Sequence, residues 1–436
     1  MGVYSYEEAF GAWDKTSPAM RKAISQWFRL YYGSEGTEQT EPCQRIAYTV
    51  VNKLVRTVFG EYTAVSEEPF CQRVLDALKL QSRQALELSL IGGECYLKPC
   101  LSEKGLFFTL IPRCNALIFA RDPLGRVTDI GTAETSALGR YYYTLLERRT
   151  VDEKGYLTIQ NRLYRSLNSQ SLGTAVPLSS HPAYARLQEC YRYERPVGSI
   201  GLVQVKTPML NCVDGSPDGV SVYAAAVGLI RCIDENEKQL REEFRRGQSR
   251  LIVSRDMLRR DAQGELQLSD HLFVGLDEDP EQVGITVFSP ALRQQSYLER
   301  KLEYLRNAES VIGLKRGMLS DANAQERTAT EISASAADYN LTVIDFQRMW
   351  EAAVREAMEL CCVLAELYGI KTPAAPDYAI DWGNGVLYDE DKTWNDYKEM
   401  VASGLLKPEI ALGWRFNMPT RTENQLAAIR SRYMSV

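Results

Sequence analysis

The sequence predicts an α+β fold that is mainly α, and three observations carry that expectation. Apolar residues recur at helical spacing through residues 1–90 and again from residue 220 onward. Between these stretches, residues 94–206 hold three hairpin signals in a row. Residues 328–368 then run for 41 positions without Gly or Pro, which fits one long helix.

Ser17-Pro18 opens a helix reaching Tyr32, with Ala23, Ile24, Trp27, Phe28 and Tyr31 at helical spacing. Residues 46–59 repeat the pattern through Ile46, Val50, Leu54 and Val58. A third helix covers 70–89 through Val74, Leu75, Leu78, Ala85 and Leu88, and Gly92-Gly93 ends the block. Strand-like runs at 95–100 and 106–112 flank a turn at 102–105. Runs at 116–121 and 127–132 flank Asp122-Pro123-Leu124-Gly125, a good type I turn. Runs at 141–151 and 156–163 flank a turn at 152–155. These hairpins predict one antiparallel sheet, with further strands at 191–195 and 200–206, and residues 166–185 read as a loop.

Residues 220–246 predict a long helix with Arg245 and Arg246 in its last turn, where cations oppose the negative helix end, and Gly247 as a left-handed cap. Short strands at 251–253, 272–274 and 285–288 follow, with an acidic turn at 277–281. A second helix over 294–312 carries Leu298, Leu302, Leu305 and Ile312 on one side. Residues 313–327 are a loop with two glycines and mixed charge. The 41-residue helix comes next, stopped by Pro373 and Pro376, and helical patterns at 393–403, 407–414 and from 421 close the chain. A body, an outgoing helix, a small β-rich module and a returning helix make a stalk with a tip.

The 436 residues are 45% hydrophobic and 25% charged, which excludes a disordered chain and predicts two to four substructures. Lys and Arg total 51 against 57 Asp and Glu, a net charge of −6 that argues against a tight phosphate-neutralising DNA binder. His181 and His271 are the two histidines, too few for a histidine-rich metal site. The N-terminus lacks a secretory pattern, Tyr6 replaces the Ser or Thr of a myristoylation signal, and no transmembrane helix is expected. The ten cysteines form no C-x-x-C pair and read as reduced thiols. No Gly-Lys dipeptide occurs, so a Walker A loop is absent, and there is neither a G-x-S-x-G elbow nor an H-E-x-x-H motif. The acidic pairs Asp277/Asp279 and Asp389/Asp391 lack a full metal-ligand series. Residues 231–250 hold six basic and five acidic side chains, with Glu237–Arg241 and Glu242–Arg246 placed for i,i+4 pairing.

With these elements in place, the sequence resembles the portal proteins of tailed bacteriophages, most closely the siphophage type of Gram-positive prophages. The residues that carry the resemblance are Asp218-Gly219-Val220-Ser221-Val222-Tyr223 with Ile233-Asp234, the module between two helices, and Thr328-Ala329-Thr330-Glu331-Ile332 heading the long helix. Asp389-Glu390 through Gly404-Leu405-Leu406-Lys407 also match, although the family usually has Ser near Lys407 and a Glu-Glu-Ala-like segment where Thr422-Glu423-Asn424-Gln425 stands.

The resemblance implies a portal-type fold with a wing (1–219), stem helices (220–247 and 291–312) and a clip (248–290). A tunnel loop (313–327), a long crossing helix (328–369) and a helical crown (370–436) complete it. It further implies a homo-oligomeric ring, typically of twelve subunits, at a capsid vertex, assembled in the host cytoplasm. Double-stranded DNA would pass through it transiently and without sequence preference. Its partners would be the terminase large subunit, scaffold, major capsid protein and a head-completion or adaptor protein, with no membrane, metal, cofactor or catalytic activity. Lys315, Arg316 and Arg327 would face DNA, and Arg245, Arg246 and Arg250 would lie where stem meets clip. The alternatives are another ring-forming phage connector, or a cysteine-dependent enzyme using Cys95 or Cys114.

Overall fold

The computed structural model describes residues 6–33, 43–102, 105–169, 171–247, 291–320, 329–383, 390–416, 418, 420 and 423–434, together with the backbone of four short strands between 250 and 288. It is an α+β fold, and its elements follow the expected order. The N-terminal helices are α1 (Tyr6–Phe10), α2 (Pro18–Tyr32) and α3 (Ile46–Val58). Ser17 caps α2 by accepting the Met20 amide at 3.1 Å, with Pro18 at the first helical position. The strand β1 (Thr63–Val65) leads into α4 (Pro69–Gly92), which ends at a left-handed Gly93.

The expectation of one sheet over 94–206 is corrected: the chain builds two. Strands β2 (Glu94–Ser102) and β3 (Gly105–Pro112) belong to the first. A 3-10 turn at Arg113–Asn115, with Arg113 buried, then redirects the chain. The second sheet runs in the order β4 (Ala116–Arg121), β5 (Val127–Leu138), β6 (Tyr141–Val151), β7 (Leu157–Ser166) and β8 (Thr174–Val176). Strand β9 (Cys190–Arg192) also pairs with β7. Strand β10 (Val203–Lys206) returns to the first sheet, whose order is β10-β2-β3. The 166–185 stretch, read as a loop, thus contributes β8.

The helix expected from residue 220 begins later. A 3-10 turn at Ala224–Ala226 precedes α5 (Val227–Arg246). Residues 220–223 are held elsewhere: the Val222 amide and the Ser221 hydroxyl both donate to Leu90 O at 3.0 Å, and the Tyr223 hydroxyl donates to Trp27 O at 2.8 Å. Satisfying the end of α4 wins over helix propensity there. Gly93 and Gly219 make this possible, because a Cβ on Gly93 would sit 2.2 Å from the Gly219 carbonyl.

After α5 come β11 (Arg250–Val253), paired with β14 (Ile285–Phe288), and β12 (Leu258–Arg260), paired with β13 (Leu266–Leu268). Sequence reading found the first pair but not the second; its other strand, 272–274, and the acidic turn lie outside the described residues. Helix α6 (Gln294–Ile312) returns to the body.

The long helix α7 (Ala329–Leu367) spans 39 residues, or ~58 Å at 1.5 Å per residue. Its buried stripe (Tyr339, Val343, Phe346, Trp350, Val354, Ala357, Cys361) faces α3, α4 and β10. Phe59 meets Trp350 edge-on at 5.3 Å. Strand β15 (Ala379–Asp381) pairs with β1, so the start of the 370–436 segment returns to the N-terminal helices. Helices α8 (Glu390–Ala402), α9 (Pro408–Arg415) and α10 (Glu423–Tyr433) follow, as their patterns predict.

Candidate functional site

The hairpin of α5 and α6 is rooted in a buried charge cluster. Arg113 Nε lies 2.7 Å from Glu94 Oε1, with the two side chains 2% and 0% exposed. Arg121 reaches Asp218 at 2.5 Å, and Arg113 lies 3.5 Å from the same carboxylate. Gln204 donates to Glu94 Oε2 at 2.5 Å. Asp218 opens the segment that becomes α5, so these arginines anchor the start of that segment to both sheets.

Above that root, polar pairs hold α5 against α6. The buried Asn236 donates to Tyr297 O at 3.0 Å and accepts from Arg300 Nε at 2.7 Å. Arg300 also donates to Gln239 at 2.7 Å. Glu237 pairs with Lys301 across the hairpin at 2.5 Å. A partner on the facing helix ties two elements together, which a pair within one helix cannot do. Lys301 also donates to Gln44 at 3.2 Å, and Asp234 accepts the Gln44 amide at 2.7 Å.

Apolar burial is confined to the root end, through Ile230, Ile233, Leu305, Ala308 and Ile312. Farther out, Phe244, Leu292 and Leu298 are exposed. α5 carries five basic and five acidic side chains and α6 three of each, so the hairpin is neutral.

Arg245 and Arg246 sit at the far end of α5 and both hold Glu242, at 2.6 and 3.1 Å. That is the expected Glu242–Arg246 pair, extended by Arg245. Both arginines stay well exposed where the helix leads into β11. Gly247 does close α5 by donating to Glu243 O at 2.7 Å, but at φ −80° it is not the left-handed cap expected of it. Arg250 lies on β11, opposite Phe288.

The 313–320 segment is anchored rather than loose. Gly313, at φ 80°, caps α6. The buried carboxylate of Glu309 accepts the Gly317, Leu319 and Ser320 amides, the shortest at 2.5 Å, and the Ser320 hydroxyl at 2.9 Å. Lys53 on α3 donates to Met318 O, Thr342 on α7 donates to Gly313 O at 3.1 Å, and Leu314 is buried. A turn closed by the Met318 amide on Lys315 O at 3.1 Å leaves Lys315 and Arg316 exposed. Arg327 lies outside the described residues.

Sequence reasoning located the basic pair but missed Glu309, Lys53 and Thr342. One available signal was an acidic residue in the last turn of a helix, against the dipole, followed by Gly313 and Gly317.

The proposed nucleophiles sit poorly for catalysis. Cys95 is buried and donates to Ala85 O at 3.2 Å, and burial raises its thiol pKa well above the ordinary range. Burial likewise pushes Cys114 up to about 12. Both are therefore neutral thiols near pH 7. His181 is buried, accepts the Ala183 amide at 3.2 Å and stacks on Tyr184. Among the described residues no group of three His, Cys, Asp or Glu could hold a metal, and no helix is long and apolar enough to cross a membrane.

No curated protein matches the chain. Residues 132–431 match the family described as phage portal protein, SPP1 Gp6-like. That match begins inside β5 and takes in the hairpin of α5 and α6, the strands between these helices, the Gly313 segment, α7 and most of the C-terminal helices. It spans well over half of the sequence, and the chain therefore belongs to the SPP1 Gp6-like phage portal protein family.

Proposed function

We propose that the chain is the subunit of a portal ring at one capsid vertex, of the siphophage type of Gram-positive hosts and typically twelve copies strong. Through it double-stranded DNA is packaged and later ejected. The observation that carries this reading is the neutral, polar-zipped hairpin of α5 and α6. It leaves a body with its own core, reaches a small β module and returns into a basic turn.

A conduit must let DNA slide. Each stable phosphate contact adds affinity and therefore friction, so balanced charge suits the lining better than a basic surface. In this reading α5 and α6 are the stem and residues 248–290 the clip, with Arg245, Arg246 and Arg250 where the two meet, and the clip is the docking surface for the terminase large subunit and later for a head-completion or adaptor protein. Residues 313–327 are the tunnel loop, with Lys315, Arg316 and Arg327 toward DNA, while residues 328–369 cross to the crown at 370–436. Scaffold and major capsid protein are the assembly partners, and no step requires a cofactor or metal. The ring interface is heterologous and closes by rotation.

Negative-stain electron microscopy and native mass spectrometry of the purified chain test this, with closed rings as the expected result. A strict monomer at assembly concentrations would overturn the reading. Rings that co-purify with tail proteins instead of terminase would move it to another connector.

A further inference from the structure

We propose that Glu309 is the positioning residue of the DNA-facing segment, a latch that presents Lys315 and Arg316 from a fixed turn. This rests on the reading of residues 313–327 as the loop that meets DNA.

A carboxylate in the last turn of a helix faces the negative end of the dipole, and complete burial adds a desolvation cost. Glu309 offsets both by gathering donors from one short stretch of chain: the amides of Gly317, Leu319 and Ser320 and the Ser320 hydroxyl. Successive amides turned inward in this way form an anion-holding concavity. Gly317, at φ 92°, supplies the backbone conformation that a side-chain-bearing residue resists. The other attachments come from separate helices, Lys53 on α3 and Thr342 on α7.

The 313–320 segment is thus tied to three helices, and the residues it leaves exposed at the turn are the two basic ones. Moving Lys315 and Arg316 relative to α6 and α7 means breaking the carboxylate's bonds. The latch therefore sets where positive charge stands in the passage.

The test uses the full chain, read by amide hydrogen exchange, ring assembly and DNA packaging. Glu309→Gln turns one acceptor oxygen into a donor that faces other donors. Expected are protected amides at 317, 319 and 320 in the unaltered protein and ~tenfold or faster exchange there in the variant. Exchange in α7 should be unchanged, rings intact and packaging reduced. Fast exchange at those amides before any substitution, or loosened amides with normal packaging, would overturn the latch.

Ser320→Ala removes a single donor and should give a smaller shift in the same amides. It decides the matter if Glu309→Gln does not fold, and unchanged exchange would then count against the latch. Lys315→Ala/Arg316→Ala separates the two ideas. Normal packaging by that double variant removes the DNA-contact reading, whereas protection of the three amides still reports on the latch.

Discussion

Arg113 lies 2.7 Å from Glu94 and Arg293 lies 2.8 Å from Glu243, yet the two contacts belong to different regimes. The first pair is sealed in the body, 2% and 0% exposed, while Arg293 in the second is 71% exposed. In the body, charge is enclosed by the chain's own sheets and by Asp218, Arg121 and Gln204. Along the stem, charge is balanced but left near water, and the apolar residues Phe244, Leu292 and Leu298 remain uncovered among the described residues. Similar distances therefore carry unlike free energies. The body encloses its charges, whereas along α5 and α6 much of the charged and apolar surface stays exposed in a single chain.

The hardest way to break this contrast is to open the body. Glu94→Ala should leave Arg113 buried without its main counter-charge and cost about 3–5 kcal/mol in urea unfolding. Glu94→Ala/Arg113→Met should recover part of that loss, because removing both charges is far cheaper than removing one. A loss below about 1 kcal/mol for the single variant would place the pair with the surface ones.

A smaller effect is expected at Glu356 on α7, which accepts the Gln204 amide of β10 at 3.2 Å. Burial, reinforced by nearby Glu359 and only partly offset by that amide, raises its pKa to about 7. An acid whose folded pKa lies above its unfolded value gives stability that is full below about pH 4.3 and lost as pH rises through about 7. Glu356→Gln should therefore match the unaltered protein at pH 4. At pH 8 it should gain on the order of 1–3 kcal/mol. Equal stability of the two proteins at pH 8 would mean that α7 and β10 do not enclose this carboxyl.

What the sequence discloses divides along the same line. Helices α2, α3, α6 and α7 were legible because burial on one side writes a helical period, and the β2–β3 and β6–β7 hairpins because their turns carry Gly105 in the first and Asp152 with Gly155 in the second. The split into two sheets was not, since nothing local marks Arg113–Asn115 as the place where β4 leaves β3. The delayed start of α5 depends on Leu90, over a hundred residues earlier. At the candidate site, the adjacent charges of Lys315 and Arg316 were visible, but what holds them was not. Lys53 reaches Met318 across 265 residues of sequence, and Thr342 acts from another helix. Long-range polar contacts have no period.

The smallest expected effect is the most informative about the stem. Arg293 and Glu243 raise and lower each other's pKa through hydrogen bonds, but Arg293 stands in solvent and Glu243 is only partly covered, so the pair is screened and adds little. Glu243→Ala should leave the melting temperature of the isolated chain unchanged, at low and high salt alike. The same substitution in assembled rings need not be silent. If neighbouring copies cover the stem, the pair is desolvated there, and losing Glu243 strands Arg293 in a contact it did not have before. A fall of more than about 2 °C in the isolated chain would show that the stem is closed within one subunit, as the body is. A fall confined to rings would show that the stem completes its core with the next subunit.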